Sequence, residues 1–172
     1  MKTTSILAMT ILATLTASAA SAQSSETVQT PEAAAAPAPA ASARQDWNAV
    51  SRSATRVYLV DVSSIKANGD ITAVDLVRVP LNPASPTARN YTQVAMEFRC
   101  SAKQSRAFSE TDHDEAGAAL DPVETGETFS PYEANTLDAY VAAVVCEGAR
   151  AEPPTYPSIT AFIDAGRPSP RR

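Results

Sequence analysis

The chain has only two cysteines, Cys100 and Cys146, a single histidine, His113, and a single tryptophan, Trp47. One imidazole and no Gly-x-Ser-x-Gly sequence leave no set of nucleophile, base and orienting group of the kind a hydrolase triad requires. If the two thiols are spent on each other, thiol catalysis is excluded as well. No catalytic residue is therefore assigned, no cofactor is expected, and an enzyme is not the reading. After the first residues, no apolar run approaches the roughly 20 residues that a membrane-spanning helix needs, so no integral membrane segment is expected. Between residues 107 and 149 there is no Lys or Arg at all, against ten Asp or Glu. The formal net charge is −5, which argues against nucleic acid and anionic lipid as main partners, because both reward a positive surface.

What is present begins with an export signal. Met1-Lys2 gives a short positive start, Ile6 to Leu15 an apolar run too short to cross a bilayer, and Ala20-Ser21-Ala22 a small-residue cleavage site before Gln23. Residues 1–22 are read as the signal peptide, and no cysteine near the cleavage site marks a lipoprotein. Residues 23–45, with Pro31 to Ala41 nearly all Ala and Pro, form an extended, solvated spacer that buries too little apolar surface to order itself. A domain is placed at 46–148, and 149–172 is expected to be an extended or weakly ordered tail. Export implies a periplasmic, secreted or cell-surface location. In an oxidising compartment an even number of cysteines points to a disulfide, here Cys100 to Cys146.

Within the domain, Asp46–Ser51, Arg56–Val62 and Ile71–Val79 read as strands, with Asn68-Gly69-Asp70 as the turn between the last two. Pro80, Pro83 and Pro86 make 80–89 a loop. Asn90–Cys100 is the clearest strand: a period of two puts Val94, Met96, Phe98 and Cys100 on one face and Tyr91, Gln93, Ala95, Glu97 and Arg99 on the other. Lys103–Thr111 reads as a fifth strand near an edge, anchored by Phe108, then an acidic loop over 112–121 and a short sixth strand at Val123–Thr128. Ser130-Pro131 with Glu133 has the form of a capping box and predicts a helix start. Leu137, Val141, Val144 and Val145 supply its apolar stripe, and Gly148 its stop. Ser158 to Ala165 is read as one further turn. The fold class is thus α+β: an antiparallel sheet of five or six strands packed on a C-terminal helix, with one disulfide pinning the helix end. At 100° per residue Cys146 lies about 180° from Leu137. So either the last turn unwinds, or the helix rotates to bring Cys146 sideways.

One segment invites a metal. Glu110-Thr111-Asp112-His113-Asp114-Glu115 crowds carboxylates and an imidazole into six residues. Neither register satisfies an EF-hand loop: from Asp112, Val123 occupies the twelfth position, and from Glu110, Glu115 occupies the sixth. The plain alternative is a solvated acidic loop, and no metal ligand is assigned. Trp47 and Tyr58, Tyr91, Tyr132 and Tyr140 read as core or rim packing rather than as recognition aromatics. Arg44, Arg52 and Arg56 form either a basic patch or the solubilising charges of an edge strand.

The opening Trp47, the pattern Tyr58, Asp61, Ile65, Gly69, the strand from Tyr91 through Glu97 and Phe98 to Cys100, and a last helix closing on Cys146 together resemble the surface-adhesin protein E family. The resemblance runs from Trp47 to Cys146. It implies an exported bacterial domain with a sheet tied to a C-terminal helix by a disulfide, and a binding role at the cell envelope toward an envelope or host protein. Two positions depart from the pattern: Arg99 stands where an acidic residue is common, and the strand after the Asn-Gly turn lacks a tryptophan. The matching positions are scaffold, so no binding residue carries over. The readings left open are an adhesin-like binding module, a periplasmic structural or assembly factor, and a metal-binding envelope protein using 110–115.

Overall fold

The computed structural model describes residues 44–170; the segments expected to be a signal peptide and, for nearly all of its length, a spacer lie outside the described residues. The elements in order are β1 (Trp47–Arg52), β2 (Arg56–Asn68), β3 (Ile71–Pro80), β4 (Tyr91–Arg99), β5 (Gln104–His113), β6 (Val123–Glu124), β7 (Ser130–Pro131), α1 (Leu137–Glu147) and α2 (Ile159–Asp164). The strands form one antiparallel sheet in the order β1-β2-β3-β4-β5-β6, with β7 also pairing with β5. That is seven strands, two of them only two residues long, beside the five or six expected.

The central hairpins follow from local chemistry. Gly69, at φ 62°, turns β2 into β3, with Asn68 paired to Ile71. β2 runs well past Val62, where its apolar pattern stops. Asp61, only 4% exposed, holds that stretch: its Oδ1 accepts from the backbone N–H of Asp46 and of Ser63, both at 2.9 Å, and from the Ser63 hydroxyl at 2.6 Å. The Ser64 hydroxyl bridges the irregular register, donating to the Asp61 carbonyl at 2.7 Å and accepting from Asp75 N–H at 2.8 Å. Asp61 is thus a structural residue.

Burial along β4 alternates strictly, with Val94, Met96 and Phe98 inside. They join Val60, Val74, Leu76 and Ala107 beneath α1, which buries Val141, Ala142 and Val144 on this face. Each full burial of a Val, Leu or Phe side chain contributes roughly 1.5–3 kcal/mol. The bond between Cys100 and Cys146 closes this layer, with Cα atoms 5.6 Å apart across 46 residues of sequence. The helix stays regular through Glu147 and ends at Gly148 in the left-handed conformation. Its buried arc includes Ala142, and Cys146, one turn further on, comes to the rim of the interface beside the end of β4.

Three expectations are corrected. The helix does not start at Ser130-Pro131: those residues pair with Ser105 and Gln104 as β7. Proline, lacking an N–H, is tolerated on such an edge. Thr136 is the true N-cap, accepting from Ala139 N–H at 3.3 Å. The expected acidic loop begins later, because β5 continues to His113. Phe108 is not an inward anchor but 45% exposed: β5 bulges there, with Met96 opposite Ala107 while Ala95 is opposite Ser109.

The segment after Gly148 is no loose tail within the described residues. Tyr156 exchanges backbone hydrogen bonds with Trp47 at 2.9 and 3.0 Å, and Ser158 caps α2. Ile159, Phe162 and Ile163 bury against Trp47, Val57, Leu59, Val77 and Val79 on the sheet face opposite α1. Trp47 is therefore a core residue, as expected. Arg167 reaches back to the Ala88 carbonyl at 2.7 Å, and Arg89 pairs with Asp164 at 2.9 Å, tying this end to the 81–90 loop. Burial holds the Arg167 pKa below its ordinary value, with the Arg89 charge acting in the same direction and Asp164 against it.

Candidate functional site

The 110–115 segment, where the sequence concentrates carboxylates, does not converge on a point. Alternation along β5 sends Glu110 and Asp112 to the α1 side and His113 to the other. Glu110 pairs with Arg78. Asp112 accepts from the Thr92 hydroxyl at 2.7 Å, and Asp114 accepts from the N–H groups of Ala116 and Ala118, both at 2.9 Å. His113 stacks on Tyr91 with ring centroids 3.9 Å apart. Its Nδ1 lies 3.1 Å from the Gly117 carbonyl, which only accepts, so Nδ1 carries the proton. Burial raises the Tyr91 hydroxyl above its ordinary pKa of 10.0. Among the described residues, no group of three or more His, Cys, Asp or Glu gathers as a metal-holding set. A polar cleft of about 330 Å³ between Arg56, Arg78, Asn90 and His113 is what this region offers.

A different surface is built by the rest of the sheet. The face opposite α1 is covered by α2 only near Trp47, Val57, Leu59, Val77 and Val79. Toward the other end of β3, β4 and β5 it lies open, and every residue of β4 on that side is half-buried. The strand register sets a straight row across four strands: Lys66 opposite Ala73, Ala73 opposite Glu97, Glu97 opposite Arg106. The adjoining row is Asp75, Ala95, Ser109. Ala73 and Ala95 make a floor of small side chains, so the rows of charged residues stand above a shallow trough.

The rim of the trough carries arginine and aromatic side chains with carboxylates beside them. Both Nε and Nη2 of Arg106 reach one Glu97 oxygen, at 2.7 and 2.6 Å, which neutralises this pair. Arg99 is held more loosely: Asp70 lies 3.4 Å away and the Arg99 side chain is 38% exposed. Both guanidiniums reach the ring of Phe129, at 4.2 Å for Arg99 and 4.6 Å for Arg106. Arg106 also lies 5.6 Å from the ring of exposed Phe108. Inside the trough, burial raises the Asp75 carboxyl above its ordinary 3.8, opposed by its hydrogen bond to Gln93, reinforced by Asp61 and opposed again by Lys66. Half-buried arginines and Phe129 beside exposed Phe108 supply the arginine and aromatic side chains that protein interfaces favour at their centres.

The model of the family described as Surface-adhesin protein E matches residues 47–147. The chain belongs to the surface-adhesin protein E family. The matched span opens at Trp47 and closes one residue after Cys146, so it takes in the whole sheet, α1 and the disulfide, and leaves α2 outside. No curated protein and no solved structure matches the chain. Among the described residues of this adhesin-family domain, no helix is long and apolar enough to cross a membrane.

The disulfide cysteines, named from the sequence, are together and serve the scaffold. Arg99, Arg106 and Phe129 carry no binding role in the sequence reading, and Phe108 only that of a strand anchor. The one signal for them in sequence was Arg99, which departs from the acidic residue common at that position.

Proposed function

We propose that this chain is an exported, non-enzymatic protein-binding module of the cell envelope, engaging its partner through the open half of the sheet. Family membership supports a surface adhesin, and the trough floored by Ala73 and Ala95 is the observation that carries the choice of surface. α1 covers one face of the sheet, α2 half of the other, and the cysteines are bonded.

Two measurements test this. Protease added to intact cells should remove the domain, whereas a periplasmic structural or assembly factor would be cleaved only after the outer membrane is opened. Ala95→Gln fills the trough without adding charge. It should cut adherence of the displayed domain to its target cells or envelope fraction while leaving its melting temperature nearly unchanged. Unaltered adherence by a folded Ala95→Gln protein would remove the open face from consideration.

A further inference from the structure

α1 does not seal the whole of the face it covers. Between its flank and β1 lies a cavity of about 230 Å³, apart from the open face and its trough. Ala49 and Val50 of β1 form one wall, and Tyr140, Ala143 and Val144 of α1 another. The third is the chain returning from the helix, with Ala149 and Ala151. The side chains of Ala143, Ala149 and Ala151 are too small to fill the gap between helix and strand. The returning wall is tied at both ends, so the space is preformed: Ala149 N–H donates to the Ala143 carbonyl at 2.9 Å, and Ala151 N–H to Oδ1 of buried Asn48 at 3.2 Å. Native interiors leave few voids larger than a water molecule, and an engineered apolar cavity of about 150 Å³ takes up benzene.

One cation stands beside this apolar interior. Nη1 of exposed Arg150 donates to the carbonyls of Ala149 at 2.7 Å and Val144 at 3.3 Å, which seats the guanidinium over the end of α1. Its other N–H groups donate to no described residue, and no described carboxylate pairs with it. The acidic groups of the neighbourhood are turned elsewhere. Asp138 accepts from the Ser105 hydroxyl on β5. Glu147 acts toward Tyr132, whose hydroxyl is raised above its ordinary pKa of 10.0 by burial and then by this charge. Glu152 lines a separate cleft with Tyr156 and Ala165, beside α2.

We propose that this cavity is a binding site for a small monocarboxylic acid with an aliphatic or aromatic body of roughly six to ten heavy atoms, the body against Val50, Val144 and the Tyr140 ring and the carboxylate on Arg150. The body gains by leaving water. A guanidinium already held by two carbonyls loses less freedom when it pairs, and its planar fork suits a carboxylate. Its charge also offsets the carbonyls at the end of α1, which on their own repel an anion.

The test is an NMR titration of the isotope-labelled full mature chain with phenylpropanoate. Backbone N–H signals of Val50, Ala143, Ala149 and Ala151 should shift, while those of Ala73 and Ala95 on the open face stay in place. Phenylpropanamide has the same body without the charge and should bind about fivefold more weakly. Arg150→Gln, at an exposed position, should bring the acid down to the level of the amide. Ala143→Leu fills the cavity with a good helix former and should abolish the shifts without lowering the melting temperature. A peptide ending in phenylalanine carries the same chemistry on a longer chain and should bind more weakly than the free acid. The assignment is overturned by an absence of shifts at those four positions, by equal binding of acid and amide, by a peptide that binds more tightly than the acid, or by binding that survives in folded Ala143→Leu protein. Adherence through the open face is a separate measurement and is untouched by any of these results.

Discussion

Cys100 ends β4 and Cys146 stands in the last turn of α1, and the bond between them brings their Cα atoms to 5.6 Å. This fastens the helix to the strand whose inner residues it covers. In the chain-entropy account, a loop closed across 46 residues is worth roughly 4 kcal/mol. The double replacement Cys100→Ser, Cys146→Ser should lower the melting temperature by roughly 10 °C or more. Adding reductant to the native protein should reproduce the shift and leave the double variant unaffected. Equal melting temperatures for oxidised native protein and variant would contradict the bracing role.

The C-terminal segment carries a core of its own. Phe162 is fully buried and meets Tyr156 edge to face at 5.1 Å. Phe162→Ala should cost roughly 3–5 kcal/mol, read by urea denaturation. A chain ending after Ala151 should expose Trp47, seen as a red shift of its fluorescence. An unfolding free energy unchanged by Phe162→Ala would mean that the segment is not packed.

The start of α1 separates two candidate caps. Thr136→Ala should destabilise by about 1 kcal/mol, because the N–H of Ala139 loses its acceptor. Ser130→Ala should have little effect, since Ser130 is exposed and its part in β7 is a backbone pairing. The reverse order of effects in chemical denaturation would return the helix start to Ser130.

Asp75 gives a pH signature. Burial raises its folded pKa above the ordinary 3.8, so the folded chain holds this proton at pH values where the unfolded chain has released it. Between those two pKa values the native state binds more protons, and stability falls as pH rises through the window. Below 3.8 both states are protonated and the cost is absent. Asp75→Asn removes the charged form while retaining a partner for Gln93. The variant should be more stable than the native protein at neutral pH, with the advantage shrinking toward nothing in acid. A difference in melting temperature that does not vary with pH would contradict the assignment.

How far the sequence reveals this molecule depends on the range over which each signal acts. β4 is legible because one face is covered along its whole length, so Val94, Met96 and Phe98 alternate cleanly with polar neighbours. Asn68-Gly69 and Gly148 are legible because positive φ is a local demand. The extension of β2 is not, because it rests on hydrogen bonds to Asp61 rather than on an apolar pattern. Ser130 outranks Thr136 on sequence because Glu133 completes its capping box, whereas Ala139 gives Thr136 no such support. With six residues, α2 is too short for its periodicity to stand out. The open face is a tertiary fact: which half of the sheet α2 leaves bare, and that the ring of Phe129, from a later loop, meets the guanidiniums of Arg99 and Arg106, cannot be read from strand patterns.

The outer strands of the sheet have a consequence for crowding. Along β5 the exposed backbone is taken in turn by β7, by the Glu127 carboxylate at Ala107 N–H, by Thr125 and by β6. At the far side, Tyr156 pairs with the Trp47 backbone, and β1 is only six residues long. Neither margin has a long row of free amides to offer another copy. Domains packed densely together should therefore stay individual molecules instead of zipping into fibrils, leaving the broad surface between the margins as the place where a stranger can be held.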